Sequence, residues 1–338
     1  MPKRIVVYTV ENHSFDQLLG TFPGVDGLNP NLAVPGPQGE KVHPFPFRWY
    51  SLGQFDNPDH SFQAIHEEWD QGKMDGFVRV GGRDTMGYYP LEGEPTWAKL
   101  IATGRILDHY FASVLGPTFP NRLYLIAGQS GGLTANPGLF SAAALDFPTL
   151  FDQLEEHHIT WRYYIGGYRR HFRLLAKETL FCPLLWFPRF NHKPRVTHLS
   201  PWPQFFEDAR NSELDEVIFL APGLPQSSHP PVPITCALHS IARVHEALAS
   251  RPDWDETLLI VNFDEAGGFY DHVPPPVMDT MGPGMRVPCL LWSGGLPSGV
   301  VHDIYDHTSV LRYIEENFGL PLLGERTTQM ASLASALC

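Results

Sequence analysis

Four stretches of this chain are short, continuously apolar, and end abruptly in polar or glycine-rich sequence. Residues 5–10 (Ile-Val-Val-Tyr-Thr-Val) and 258–263 (Leu-Leu-Ile-Val-Asn-Phe) have the pattern of strands covered on both faces, and 216–220 and 287–292 add two more. Between them, residues 96–103, 148–157, 234–249 and 309–318 carry apolar side chains at three- and four-residue spacing, which predicts helices. Strand-helix alternation predicts an α/β fold built on a large, mostly parallel sheet. Two stretches break the pattern. Residues 24–59 are rich in proline, glycine and asparagine, and 181–203 in proline and aromatics, so both predict long loop insertions over one end of the sheet.

The polar residues that end these strands carry the candidate chemistry. Glu11 and Asn12 follow the first strand and Asp264 and Glu265 the second, at the carboxyl ends where open α/β sheets hold ligands. Oxygen donors from two neighbouring strand ends suit a hard divalent cation. Either pair alone reads as a polar turn; the two together, the second followed by Gly267-Gly268, favour a cation. In Gly116-Pro117-Thr118-Phe119-Pro120 two prolines fix the backbone around one hydroxyl, presenting Thr118 as a nucleophile would be presented, although a plain proline-rich turn has the same sequence. Arg122, just beyond, is assigned to a structural carboxylate and left outside the site. Among 16 histidines, His60, His229, His272 and His307 lie beside prolines and acids, where an imidazole can touch a phosphoryl oxygen or pass a proton. Spacing alone does not choose among these four.

Composition narrows the partners. A chain of 338 residues, 43% hydrophobic and 18% charged, buries a substantial core. Its formal charge of −13 disfavours nucleic acid and anionic membrane, so an anionic ester would need a local positive charge, which a bound metal supplies. The four cysteines are widely spaced and predict neither a disulfide framework nor a zinc knuckle. No run approaches the roughly 20 apolar residues of a transmembrane helix, and the first ten residues lack a secretory pattern. As written, the chain is expected in the cytoplasm, and outside it or in a periplasm if an upstream start is missing.

The segments ENHSFDQLLGTFPGVDG, ILDHYFASVLGPTFPNRLYLIAG, FDEAGGFYDHVPPP and GPGMRVPCLLW with YDHTSVLRYIEENFG resemble, in order, the phosphoesterase family of bacterial acid phosphatases and phosphatidylcholine-hydrolysing phospholipases C, within the alkaline phosphatase superfamily. The resemblance implies one domain over residues 1–338 and hydrolysis of phosphoric esters through a phospho-threonine. It implies one divalent cation (calcium, magnesium, manganese or zinc) held by Glu11, Asn12, Asp264 and Glu265, with Thr118 the nucleophile. His60 and His229 fall at phosphate-contacting positions, although Ser227-Ser228 replace two acids before His229. Asn12 would touch metal and phosphate, and His272 and His307 would support the site. The expected substrate is a phosphate ester, with monoester phosphatase and phospholipase C both open: the aromatic loops (Phe45, Phe47, Trp49, Tyr50; Trp186, Phe187, Phe190) fit a pocket for the quaternary ammonium of a phosphocholine or phospholipid ester and fit packing in a lid equally well. One departure stands out: Phe181 occupies a position where the family has an active-site histidine, leaving His171 or His192 as the nearby substitutes. From that loss comes the alternative of a catalytically silent relative that binds a ligand or protein partner.

Overall fold

The computed structural model describes residues 1–50, 56–138, 144–168, 181–190, 195–211 and 213–338. Its centre is an eight-stranded sheet: β1 (Arg4–Val10), β2 (Arg105–Leu107), β3 (Trp161–Ile165), β4 (Leu199–Pro201), β5 (Val217–Ala221), β6 (Thr257–Phe263), β7 (Cys289–Trp292) and β8 (Gly299–Val301). They lie in the order β8-β2-β7-β6-β1-β5-β3-β4. Every neighbouring pair is parallel except those of β7, which runs against both β6 and β2. The helices that matter here are α1 (Phe15–Leu19), α2 (Phe62–Trp69), α3 (Pro95–Ile101), α4 (Thr118–Ala127), α5 (Leu150–Glu156), α6 (Gln204–Asn211), α7 (Ile234–Ala249) and α8 (His307–Phe318).

Both faces of the sheet are covered, as the unbroken apolar strands require. Side chains alternate along a strand, and here each alternate set meets different helices. Phe219 and Tyr163 pack on Phe151 of α5, while Tyr8 meets Trp202 and Tyr164 meets Phe205 of α6. All seven residues of β6 and all five of β5 are buried. Among the described residues no helix is long and apolar enough to cross a membrane.

The long insertions are partly structured. Residues 24–59 contain three two-residue strands, Val34–Pro35, Lys41–Val42 and Phe45–Pro46. The 181–203 stretch is not wholly loop, because β4 lies within it and forms one edge of the sheet. Pro201 ends that strand at an edge, where a missing N–H costs no ladder bond.

A buried ion network ties the loop after β1 to the loop after β6. The Arg286 guanidinium is inaccessible to water; its Nη2 donates to Asp16 Oδ1 at 2.8 Å and its Nε to Asp271 Oδ1 at 3.0 Å. Nη1 donates to the carbonyls of Asp26 (2.8 Å) and Asp108 (3.0 Å). His272 completes the network, with Nδ1 donating to Asp16 Oδ2 at 2.8 Å. Burial pushes the His272 imidazole down, but its bond to Asp16 and the nearby Asp16 and Asp271 charges outweigh that and hold its pKa up at about 9. A histidine raised in this way stabilises the fold fully below its ordinary value of 6.5 and loses that contribution as pH climbs through about 9. His272→Gln is therefore expected to lower stability by roughly 1–2 kcal/mol at acid pH, the ring being partly exposed. The two proteins should converge above about pH 9 in thermal melts; a gap unchanged by pH would contradict the charged His272.

Candidate active site and metal centre

Strand register builds the centre. Val10 and Phe263 are partners at the ends of the parallel pair β1 and β6, and the Asp264 N–H donates to the Val10 carbonyl at 3.0 Å. Glu11 and Asp264 therefore leave the sheet side by side, and with Glu265 they place three carboxylate oxygens within 4.8 Å of one another. All three residues, like Asn12, are buried to within about 1%. The backbone turns sharply here: Asn12 (φ 45°) and His13 (φ 111°) both lie in the left-handed region, a strained arrangement typical of residues held for a purpose. Gly267 makes room for it, since a Cβ there would come within 2.7 Å of Asn12 Cβ and Nδ2. Ser227 and Ser228, the residues that replace two acids, clasp the same turn. Glu11 N–H donates to the Ser227 carbonyl at 3.0 Å, and the Ser228 hydroxyl donates to the Glu11 carbonyl.

Thr118 reaches this cluster from the other side. Asn121 binds the loop before it, accepting from Val114 N–H (2.8 Å) and donating to the carbonyls of Val114, Gly116 and Pro117. That brace sets Thr118 as the first residue of α4, buried, with its hydroxyl directed at Glu11 Oε2 (3.4 Å). A helix N-terminus also offers free N–H groups and positive potential to an anion.

Arg122 pairs with carboxylates, as the sequence predicts of an arginine that follows a turn. One turn into α4, its Nε donates to Asp264 Oδ2 at 2.7 Å and its Nη2 to Glu11 Oε1 at 3.0 Å. These carboxylates are those of the candidate metal centre. Burial would lower the Arg122 pKa, yet Asp264 and Glu11 more than reverse this and fix the charge. One guanidinium does not balance three carboxylates. Burial first, then the Asp264 charge, push the Glu11 carboxyl well above the usual range in spite of Arg122. Burial raises Glu265 to about 7 against the opposing pull of His60.

The donors fit a divalent cation. Among the described residues no hydrogen-bond partner reaches Asn12 Oδ1 or Nδ2, Asp264 Oδ1 or Glu265 Oε1, although all four atoms are buried. Buried polar atoms are nearly always satisfied, and a carboxylate set that Arg122 only partly offsets suits a cation.

His60 and His229 come together at this centre, their rings 6.1 Å apart at 70°. His60 donates from Nδ1 to the Pro58 carbonyl (2.8 Å), which leaves Nε2 facing Glu265 Oε1 at 3.8 Å. Burial works against a charge on His60, but Glu265 and Asp264 prevail and raise its pKa. His307 and His272 stand behind. His307 Nε2 donates to the Asp264 carbonyl at 2.8 Å, with Nδ1 accepting from the Tyr110 hydroxyl, so it fixes a strand end. Phe181 borders the site: its carbonyl accepts from Arg122 Nη1 (2.9 Å) and from the Tyr163 hydroxyl (3.1 Å), and its ring centre lies 5.3 Å from the Arg122 guanidinium carbon. His171 and His192 lie outside the described residues. Glu68 of α2 is a further buried carboxylate whose two oxygens have no partner among the described residues, and burial, then Glu265, raise its pKa well above the usual. In sequence it is one acid of an amphipathic helix, with nothing to mark it.

The chain is 29% identical over 389 residues to the hemolytic phospholipase C of Pseudomonas aeruginosa, covering 94% of this chain and 53% of that protein. It thus spans about half that relative's length. With phospholipase C B of Mycobacterium tuberculosis the identity is 30% over 397 residues, covering 95% and 74%. The fold is shared with the phosphonate monoester hydrolase of Agrobacterium radiobacter, at 11% identity and a TM-score of 0.51 over 100% of this chain and 77% of that one. The Phosphoesterase family model matches residues 2–321, and with the relatives above this places the chain in the Phosphoesterase family, a family of phosphoric-ester hydrolases.

Proposed function

We propose that this chain hydrolyses phosphoric esters at the Glu11–Thr118–Asp264 centre, in two steps through a phosphorylated Thr118. The observation that carries the reading is the convergence of one braced hydroxyl on three buried carboxylates, next in the chain to an Asn12 amide that has no partner among the described residues. Glu11, Asn12, Asp264 and Glu265 would hold one divalent cation. When bound, the cation supplies Lewis-acid stabilisation of negative charge at the phosphoryl group and at the threonine oxygen.

In the first step the Thr118 oxygen forms a bond to phosphorus as the bond to the alcohol breaks. The hydroxyl proton has a carboxylate to go to, Glu11 Oε2. Arg122 keeps Glu11 and Asp264 in place but spends its three nitrogens on Glu11, Asp264 and Phe181, so it acts on the phosphate through them. The departing alcohol needs a proton, and the imidazoles of His60 and His229 are the groups that give it; the raised pKa of His60 keeps that proton available near neutrality. In the second step water attacks the phospho-threonine and frees Thr118.

Phe181 shapes the choice of ester. It puts a hydrocarbon ring where the family resemblance places an imidazole, so among the described residues leaving-group protonation rests on fewer donors. Esters of acidic alcohols are favoured accordingly. The phospholipase C names of the relatives support a phosphocholine or phospholipid ester as the substrate class, whereas Phe47, Trp49, Phe187 and Phe190 of the aromatic insertions are buried in the core. Comparison of p-nitrophenyl phosphate, bis-p-nitrophenyl phosphate and p-nitrophenyl phosphorylcholine is expected to rank the phosphorylcholine first; a preference for the monoester would move the assignment to a phosphatase.

Thr118→Val keeps the side-chain volume and removes the hydroxyl. It is expected to lose roughly 10³-fold or more of turnover with little change in melting temperature, and acid quenching of the wild-type protein during turnover should trap phosphate on Thr118. Wild-type-like activity in the variant would sink the proposal. Chelation should abolish turnover, and cation affinity should rise with pH through about 7, where Glu265 gives up its proton. Isothermal titration at several pH values reads this directly, and an affinity independent of pH would remove Glu265 from the ligand set.

A further inference from the structure

The construction that places Glu11 beside Asp264 occurs a second time in the sheet. β2 and β8 are a parallel pair whose last residues, Leu107 and Val301, are partners, and the Asp108 N–H donates to the Val301 carbonyl at 3.1 Å. Asp108, His109 and His302 therefore leave the two strand ends together, as Glu11 and Asp264 do at β1 and β6. Each of the three brings one ligand atom to within 4.8 Å of the others.

The details point to an ion and not merely to a polar turn. Asp108 is entirely buried. Its Oδ2 accepts from the Asp26 N–H at 2.7 Å and from His302 Nδ1 at 2.9 Å. Its Oδ1 has no hydrogen-bond partner among the described residues, although His109 Nδ1 stands only 3.2 Å away, because that nitrogen is directed at the His302 carbonyl (3.1 Å). An internal hydrogen-bond network would leave that buried oxygen unsatisfied, which native interiors rarely allow. The 3.2 Å between His109 Nδ1 and Asp108 Oδ1 is close to the roughly 3.3–3.6 Å between ligand atoms around tetrahedral zinc, whose bonds to nitrogen and oxygen are about 2.0–2.2 Å. His302, with 61% of its side chain exposed, opens the cluster to ions from solvent. Asp26, 3.2 Å from His109 Nε2, provides further negative charge beside it.

We propose that Asp108, His109 and His302 form a second cation site, suited to a zinc-like transition metal. Two imidazoles and one carboxylate select such an ion, whereas the all-oxygen set at the first centre suits harder ions. Binding displaces a proton from an imidazole nitrogen and gives Asp108 Oδ1 the partner it lacks. The ion would tie the ends of β2 and β8 together. Through the Arg286 bonds to the Asp108 and Asp26 carbonyls, it would also brace the network that holds the loops after β1 and β6. This site is independent of the proposed hydrolysis.

The test uses the full, untagged chain, stripped with chelator and dialysed against zinc chloride, with bound metal counted by mass spectrometry. The His109→Ala/His302→Ala double variant is expected to hold one equivalent fewer than wild type, and Glu265→Gln to keep that equivalent. Cobalt(II) should give the strong visible absorption of a tetrahedral site in wild type and in Glu265→Gln but not in the double variant. His302→Ala alone, at an exposed position, serves if the double variant does not fold, and is expected to weaken zinc binding at this site at least tenfold. Equal zinc content and unchanged cobalt spectra between wild type and either histidine variant would overturn the site.

Discussion

Among the described residues, three buried carboxylates share one pocket with a single guanidinium, and this charge imbalance organises the centre. Glu11, Asp264 and Glu265 sit where the dielectric is low and like charges repel strongly. Arg122 relieves part of the repulsion by bonding to two of them. The remaining charge, together with the atoms of Asn12, Asp264 and Glu265 that have no partner among the described residues, suits a cation. Surrounding features act to hold this costly arrangement: Asn121 braces the Thr118 loop, His307 fixes the Asp264 carbonyl, and the Ser227-Ser228 turn grips the Glu11 backbone. Breaking a buried pair by removing one partner is far more damaging than the pair's net worth suggests, so these supports belong to the site as much as its ligands do.

The fold was legible where hydrophobic runs were long. β1, β6 and α7 match their sequence patterns within a residue or less at each end, because a strand covered on both faces and a sixteen-residue amphipathic helix both leave strong signatures. The strands left unread are short or atypical. β2 has three residues. β3 reads Trp-Arg-Tyr-Tyr-Ile, with a charged residue and little β-branching. β4 is three residues hidden in a proline-rich stretch and stabilised by its neighbour β3 alone. Nor does hydrophobic pattern reveal direction, so the reversal of β7 could not be foreseen.

The site was legible at Glu11-Asn12 and Asp264-Glu265, because strand-end placement is a local property. Thr118 took its weight from the family resemblance. Which carboxylates Arg122 meets is not legible for a reason that is general: they lie 111 and 142 residues away, and local sequence cannot say which acid an arginine will find. The meeting of His60 with His229 is equally non-local, since it depends on α2 and the Ser227-Ser228 turn approaching the same strand ends. Phe181 departs from the family pattern, and its ring lies 5.3 Å from the Arg122 guanidinium carbon, beside the centre.

The central claim is that the carboxylate cluster around Arg122 is completed by a cation. Anomalous diffraction from crystals of the chain loaded with manganese tests it most directly. The account predicts one strong anomalous peak ligated by Asn12 and by carboxylate oxygens of Glu11, Asp264 and Glu265, with the Thr118 hydroxyl beside it and Arg122 still bound to Glu11 or Asp264. A cluster without such a peak at saturating manganese, its carboxylates satisfied by Arg122 and ordered water alone, would contradict it.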